Sequence, residues 1–264
     1  MKKLLILLFI SCSYFSFAQD WEAGAWLGGT YYFGDINTEY KFNDPNIGFG
    51  IMTRLNFNNR LSLKLSGSYG KVSGSDSNSN EDFQLQRNLD FRSNVFDGTA
   101  QFEFNFLKYE HGSKEDNFTP YLFAGISIFS FNPEAEYQGE WMALQPLGTE
   151  GQARGFEYDL TEVALAYGGG IKFDLSYKWS VNVEISARYL NTDYLDDVST
   201  VYTDLTDLQE SRGNIAVALS DRSINQSLSE PGRQRGDSSN NDMFMFAGIT
   251  LAYSFANVKC FTFY

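Results

Sequence analysis

His111 is the single histidine of this chain, and Cys12 and Cys260 are its two cysteines. A hydrolase built on histidine needs a nucleophile and an orienting acid beside it. The membrane-barrel hydrolases place such a group near the outer rim. His111 instead stands next to Glu110 and close to Lys114 in a charged turn, so a solvated turn residue is expected there. One histidine excludes a His-rich metal site, and two cysteines exclude a Cys₄ zinc site or a disulfide framework. Asp193, Asp196 and Asp197, with Asp204 and Asp207 beyond, carry the oxygen ligands that Ca²⁺ takes. Their spacing matches no EF-hand loop, and a solvated acidic outer loop is the simpler expectation. No helix pattern follows Gly168-Gly169-Gly170, so these glycines read as strand interior, not as a phosphate loop. No catalytic, cofactor-binding or metal residue is expected, and hence no enzyme, no cofactor and no small-molecule substrate.

The elements around these residues follow from composition and pattern. The chain has 264 residues, among them 24 Phe and 16 Tyr, with 33 acidic against 20 basic side chains and a formal charge of −13. That balance lacks the basic footprint of a nucleic-acid binder. Lys2 and Lys3 precede an apolar run from Leu4 to Phe17, which ends in Ser16-Phe17-Ala18. Residues 1–18 therefore read as a secretory signal peptide. The rival reading, a lipoprotein signal at Cys12 after Phe9-Ile10-Ser11, fits less well because the apolar run continues past the cysteine. Removing the peptide deletes two lysines and Cys12, which takes the charge to −15 and leaves Cys260 alone.

The rest alternates with period two. From Trp179 to Tyr189, Val181, Val183, Ile185 and Ala187 oppose Ser180, Asn182, Glu184, Ser186 and Arg188. Asn94–Phe106, Ile47–Phe57 and Leu61–Tyr69 repeat this. Trp21–Phe33, Thr119–Ser130, Glu162–Asp174 and Met243–Phe255 do so less cleanly. Strict alternation over such lengths means strand. Each segment is ~9–13 residues, long enough for a tilted strand to cross hydrocarbon.

The links alternate too. Asn58–Arg60 and Leu175–Tyr177 are short and Leu107–Phe118 is medium. Gly34–Asn46, Lys71–Ser93, Phe131–Thr161 and Leu190–Asp242 are long. The expected fold is all-β: an eight-stranded antiparallel up-and-down transmembrane β-barrel with long extracellular loops and short periplasmic turns, spanning 19–255, in the bacterial outer membrane. A charge facing lipid at mid-bilayer costs ~2–4 kcal/mol for Lys or Arg. Arg54, Lys64, Asp97, Glu103, Lys172, Glu184 and Arg188 are therefore expected to point inward. They would form a paired lumen network rather than an ion path, because eight strands enclose only enough room for side chains. Trp21, Phe57, Tyr69, Phe106, Tyr121, Trp179, Tyr189, Tyr253 and Phe255 suit the interfacial girdles, in contact with outer-membrane lipid.

After Phe255 a tail, 256–264, is expected on the periplasmic side. There Cys260 would lie in an oxidising compartment without an intramolecular partner. It is a candidate for an intermolecular disulfide, with a packed free thiol as the alternative.

Several loop strings stand together: YYFGDIN (Tyr31 to Asn37), RNLDFRS (Arg87 to Ser93), PYLFAGISIFSFNPEA (Pro120 to Ala135), LQPLGTEGQ (Leu144 to Gln152), DYLDDVSTVY (Asp193 to Tyr202) and DRS (Asp221 to Ser223). With these the chain resembles the PorG family of Bacteroidota over nearly the whole mature length. The resemblance implies a non-enzymatic outer-membrane component of the type IX secretion and gliding machinery. It also implies as partner a periplasmic ring of the PorK lipoprotein and PorN, with Cys260 as a possible attachment. The family has no catalytic residues to carry over. A surface-recognition or adhesin-type barrel working through its outer loops is the alternative.

Overall fold

The computed structural model describes residues 20–39, 41–42 and 45–255, with the side chain of Asn225 left aside. The signal segment 1–18, Cys12, the tail 256–264 and Cys260 lie outside the described residues.

Eight long strands form the wall. They are β1 (Asp20–Phe33), β2 (Asn46–Asn56), β3 (Leu61–Ser75), β4 (Asp90–Asn105), β5 (Phe118–Ser130), β8 (Thr161–Asp174), β9 (Trp179–Leu190) and β10 (Met243–Ser254). Each pairs antiparallel with its sequence neighbours along the wall, and β1 pairs with β10 from Glu22↔Ser254 to Phe33↔Met243. That last pairing closes the sheet into an eight-stranded antiparallel barrel. Between β5 and β8 a hairpin, β6 (Pro133–Tyr137) and β7 (Glu140–Ala143), extends the sheet from the upper edge of β4.

Through most of each strand the alternation reads apolar outward, polar inward. Leu27, Ile51, Phe102, Ile126, Ile185 and Ile249 are all more than half exposed on the outer wall. An apolar belt of this extent is built for hydrocarbon, not for water.

β3 and β4 run further than their period-two signal suggests. They stay paired from Lys71↔Asn94 up to Ser75↔Asp90, which shortens the expected Lys71–Ser93 loop to residues 76–89. The reason is an inversion of the pattern. Past Tyr69 the outward residues of β3 are Lys71, Ser73 and Ser75, and Val72 turns inward, buried. In β4 Asp90, Arg92 and Asn94 face outward, while Phe91 and Val95 are buried. Here the strands have left the bilayer and water is the outer solvent.

The long outer links are also folded. Besides β6 and β7 they contain helices Asp82–Arg87, Leu205–Arg212 and Asn214–Ser220. Asp204 caps the second of these, its carboxylate accepting from the Thr206 and Asp207 amides. Above the membrane Tyr32, Val72, Phe91, Val95, Phe129 and Phe244 from the strands meet Ile36, Leu89, Phe131, Leu195 and Val198 from the loops in one apolar core.

A row of glycines marks the level where the two interiors meet. Gly248, Gly28, Gly48 and Gly70 stand side by side across β10, β1, β2 and β3. A Cβ at Gly28 would lie 2.1 Å from the Ala247 carbonyl oxygen, and one at Gly48 3.0 Å from the Trp26 ring. The missing side chains make room for Trp26 and Phe246, whose ring centres are 5.1 Å apart.

Candidate functional site

Below that level the lumen is filled by ion pairs. Arg54, on β2, bridges Glu22 of β1 (Nη1–Oε2 2.8 Å) and Glu103 of β4 (Nε–Oε2 2.8 Å). Lys172 reaches from β8 to Glu103 at 2.7 Å and to the Asn105 amide oxygen at 3.1 Å. Lys64 pairs with Glu184 across the barrel at 2.5 Å, and the Tyr121 hydroxyl donates to the same carboxylate at 2.6 Å. Higher up, the Arg188 guanidinium takes Asp97 through Nε (3.0 Å) and Nη2 (3.2 Å), and Ser127 donates to Asp97 as well. The strand alternation places these charges inward on six of the eight wall strands, so the network ties the wall together across its diameter.

Four cations thus meet four carboxylates, since Glu22 joins Asp97, Glu103 and Glu184. Buried charges are tolerable only in such compensated arrangements. The sequence reading missed Glu22. The available signal was its place beside outward Trp21 at the start of the first strand. Tyr121 is a correction as well: it is 1% exposed inside the lumen, so it cannot belong to a lipid-facing girdle. Trp21, Phe57, Phe106, Trp179, Tyr189 and Phe255 are exposed on the outside. Beside Trp26, Lys64, Glu184 and Arg188 lies a cavity of about 30 Å³, room for about one water.

The periplasmic mouth corrects a second expectation. His111 is not solvated: its side chain is 7% exposed, with Nε2 3.0 Å from Glu22 and Nδ1 2.8 Å from Asp174. Burial lowers its affinity for a proton, but the Asp174 and Glu22 carboxylates outweigh this and raise its pKa to about 9. At neutral pH it is a cation between two anions, which is a poor general base. A lone histidine in a turn gives no periodic signal, so its burial could not be read in advance.

The outer cap overturns the solvated acidic loop. Asp193, Asp196 and Asp197 are buried, together with Asp35 and Asp242. Tyr32 donates to Asp196 and lies 3.3 Å from Asp242. Burial, then Asp35 and Asp196 nearby, raise the Asp193 pKa to about 9, and burial lifts those of Asp35 and Asp197 to about 6. Two buried arginines stitch the loops together. Arg87 holds Asp76 at 2.7 Å and the Asp35 and Arg235 carbonyls at 2.8 and 2.6 Å. Arg235 holds Glu150 at 3.0 Å. Among the described residues no group of three His, Cys, Asp or Glu is arranged to hold a metal ion.

An apolar outer wall, a charge-filled lumen and closed β1–β10 pairing define a transmembrane β-barrel of the bacterial outer-membrane type. Residues 1–216 match the family described as "Domain of unknown function (DUF6089)", and the chain belongs to that family. No curated protein matches it in sequence. Among solved structures it is similar to Ail of Yersinia pestis, crystallised with the heparin analogue sucrose octasulfate. The identity is 11%, over 90% of this chain and 99% of that one, with a TM-score of 0.44. It is also similar to Neisserial surface protein A, at 9% identity over 90% and 98% of the two chains and a TM-score of 0.43. OprG of Pseudomonas aeruginosa gives 8%, over 91% and 97%, with 0.42. The assignment of the fold rests on the strand pairing itself.

Proposed function

We propose that the chain is a non-enzymatic barrel of the type IX secretion and gliding machinery that holds a periplasmic PorK/PorN-like ring at the outer membrane. The observation that carries a structural role is the filled lumen. Paired charges occupy the interior and His111 is ion-paired across the periplasmic mouth, so the barrel offers its two ends rather than a channel. The loop strings from Tyr31 to Ser223 that resemble the PorG family supply the machinery and the partner. The single histidine is committed to carboxylates, which supports a role without catalysis. Cys260 is the proposed covalent attachment.

The test is recovery of the ring proteins with this chain from cross-linked native outer membranes, with loss of cargo secretion on deletion. If no ring protein is recovered and secretion is intact, the reading falls. A thiol-blocked, non-reducing gel of wild type against Cys260→Ser addresses the tether separately. A reducible high-mass band that the variant lacks supports it, and a monomer band in both removes it.

One observation favours a second reading, recognition at the cell surface: the outer loops form a folded cap. Its test is substitution of exposed cap residues such as Phe156 (82% exposed) and Ile224 (75% exposed). Trimming the loop would instead delete Arg235, which the cap needs for its fold.

A further inference from the structure

The link between β4 and β5 does more than turn the chain. Its backbone folds back on itself, with the Glu110 amide donating to the Asp116 carbonyl at 3.0 Å. Tyr109 is 6% exposed beneath the barrel. Asp174, at the end of β8, gathers the strap: Oδ1 accepts from the Tyr109 hydroxyl at 2.5 Å, Oδ2 accepts from the Gly112 amide at 2.8 Å, and its own amide donates to the Asn117 carbonyl at 2.9 Å. Gly112 has φ +78°, and a Cβ there would lie 2.4 Å from the Tyr177 ring, so the strap is fitted closely against the β8–β9 turn.

His111 joins this strap to the opposite wall through Glu22 on β1, and the Tyr109 amide donates to the Asn59 carbonyl of the β2–β3 turn at 3.3 Å. The charged groups around it differ in what they keep without it. Glu22 retains Arg54 at 2.8 Å and the Asn56 amide at 2.5 Å, with Lys172 close enough to act on it electrostatically. Asp174 retains a hydroxyl and an amide but loses its cation among the contacts described above. Asp20 and Glu110, which line a small cavity with His111, add negative charge. An uncompensated, largely buried Asp174 carboxylate then favours a rearrangement that lets in water.

We propose that the strap of residues 107–117 is a latch on the periplasmic mouth, held shut by the positive charge of His111 shared between β1 and β8. Releasing it opens the Glu22–Arg54 pair to periplasmic water while the upper lumen stays filled. His111 is a positioning residue in this arrangement and takes part in no reaction. The latch does not depend on the secretion role proposed above.

The experiment is amide hydrogen exchange of the full chain in lipid nanodiscs, corrected for intrinsic rates, at pH 7 and above pH 10. Wild type should protect the Gly112 amide at pH 7 and lose about tenfold or more of that protection at the high pH, because one pKa unit corresponds to a factor of ten. His111→Gln should show the opened strap already at pH 7, with a flat pH profile and unchanged exchange in the β3–β4 pairing. His111→Lys, which keeps a charge, should restore part of the protection at pH 7. Wild-type protection in His111→Gln at pH 7, or a flat wild-type profile, overturns the latch. Loss of protection spread evenly through the barrel overturns it too, because His111 would then support the whole fold. Gly112→Ala, which disturbs the strap without touching the charge, should open it while both walls stay protected. Exchange unchanged by this variant also counts against a fitted lid.

Discussion

In the lower part of β4 Phe102 and Phe104 face outward and Gln101 and Glu103 face inward, whereas at its upper end Asp90, Arg92 and Asn94 are outside and Phe91 and Val95 inside. One continuous strand therefore obeys two opposite rules. The change is in the solvent on its far side. Lipid outside leaves the polar residues nowhere to go but inward, where they must pair. Water outside lets the interior be apolar in the ordinary way. The two regions consequently hold together by different means. The membrane half matches four cations to four carboxylates, some of them shared. The cap relies on the Tyr32–Phe244 core and carries buried carboxylates in excess of its two buried arginines.

The comparison is most severely tested in the membrane half. Arg54→Met removes the cation shared by Glu22 and Glu103 and leaves buried charge behind. It should destabilise the barrel by ~3–5 kcal/mol, measured as urea unfolding in lipid vesicles. Adding Glu103→Gln should recover part of the loss, because the two residues act as one unit. A variant as stable as wild type would mean that lumen pairing is not what holds the membrane half. In the cap, Phe244→Ala empties a fully buried position and should cost ~3–5 kcal/mol of local stability. Limited proteolysis should then cut the outer loops while the membrane strands stay intact. Simultaneous loss of both regions would show them to be a single cooperative unit.

A smaller effect separates the regions by pH. Asp193 has its pKa raised by burial from 3.8 to about 9. Between those values the folded cap binds more protons than the unfolded chain, so cap stability should fall as pH rises across this window. Asp193→Asn should flatten that slope, read as the pH dependence of the cap's proteolysis rate. An unchanged slope would assign it to the buried Asp196 and Asp242, whose proton affinity burial also raises strongly. The smallest effect belongs to an exposed pair. Lys108 bridges Asp116 at 2.6 Å and Glu110 at 3.2 Å in open solvent, and Lys108→Ala should leave the unfolding midpoint unmoved.

The legibility of the sequence follows the same division. Where lipid lies outside, alternation is clean in four strands and still readable in the other four, and it located the eight wall strands and the inward charges from Arg54 to Arg188. Above Tyr69 the alternation changes sign rather than stopping, so a search for apolar-out, polar-in lost β3 and β4 there. The cap's helices and the burial of Asp193, Asp196 and Asp197 depend on contacts between loops far apart in the chain. The link from Arg87 to the Arg235 carbonyl is one such contact. No local pattern encodes these. His111 escaped for a related reason: its partners, Glu22 and Asp174, come from opposite walls of the barrel.

The glycine row across β10, β1, β2 and β3 gives the barrel a waist. By leaving out side chains beside Trp26 and Phe246, it lets these two rings pack inside the wall with their centres 5.1 Å apart. Arg188, the register partner of Phe244, sits on the outer side of these rings with its guanidinium 5.5 Å from the centre of Phe246, and Lys64 and Glu184 pair on the other side. A side chain added at Gly48 or Gly70 would press on Thr30 and one of these rings, so it would strain the waist of the barrel and not a charged pair of either half.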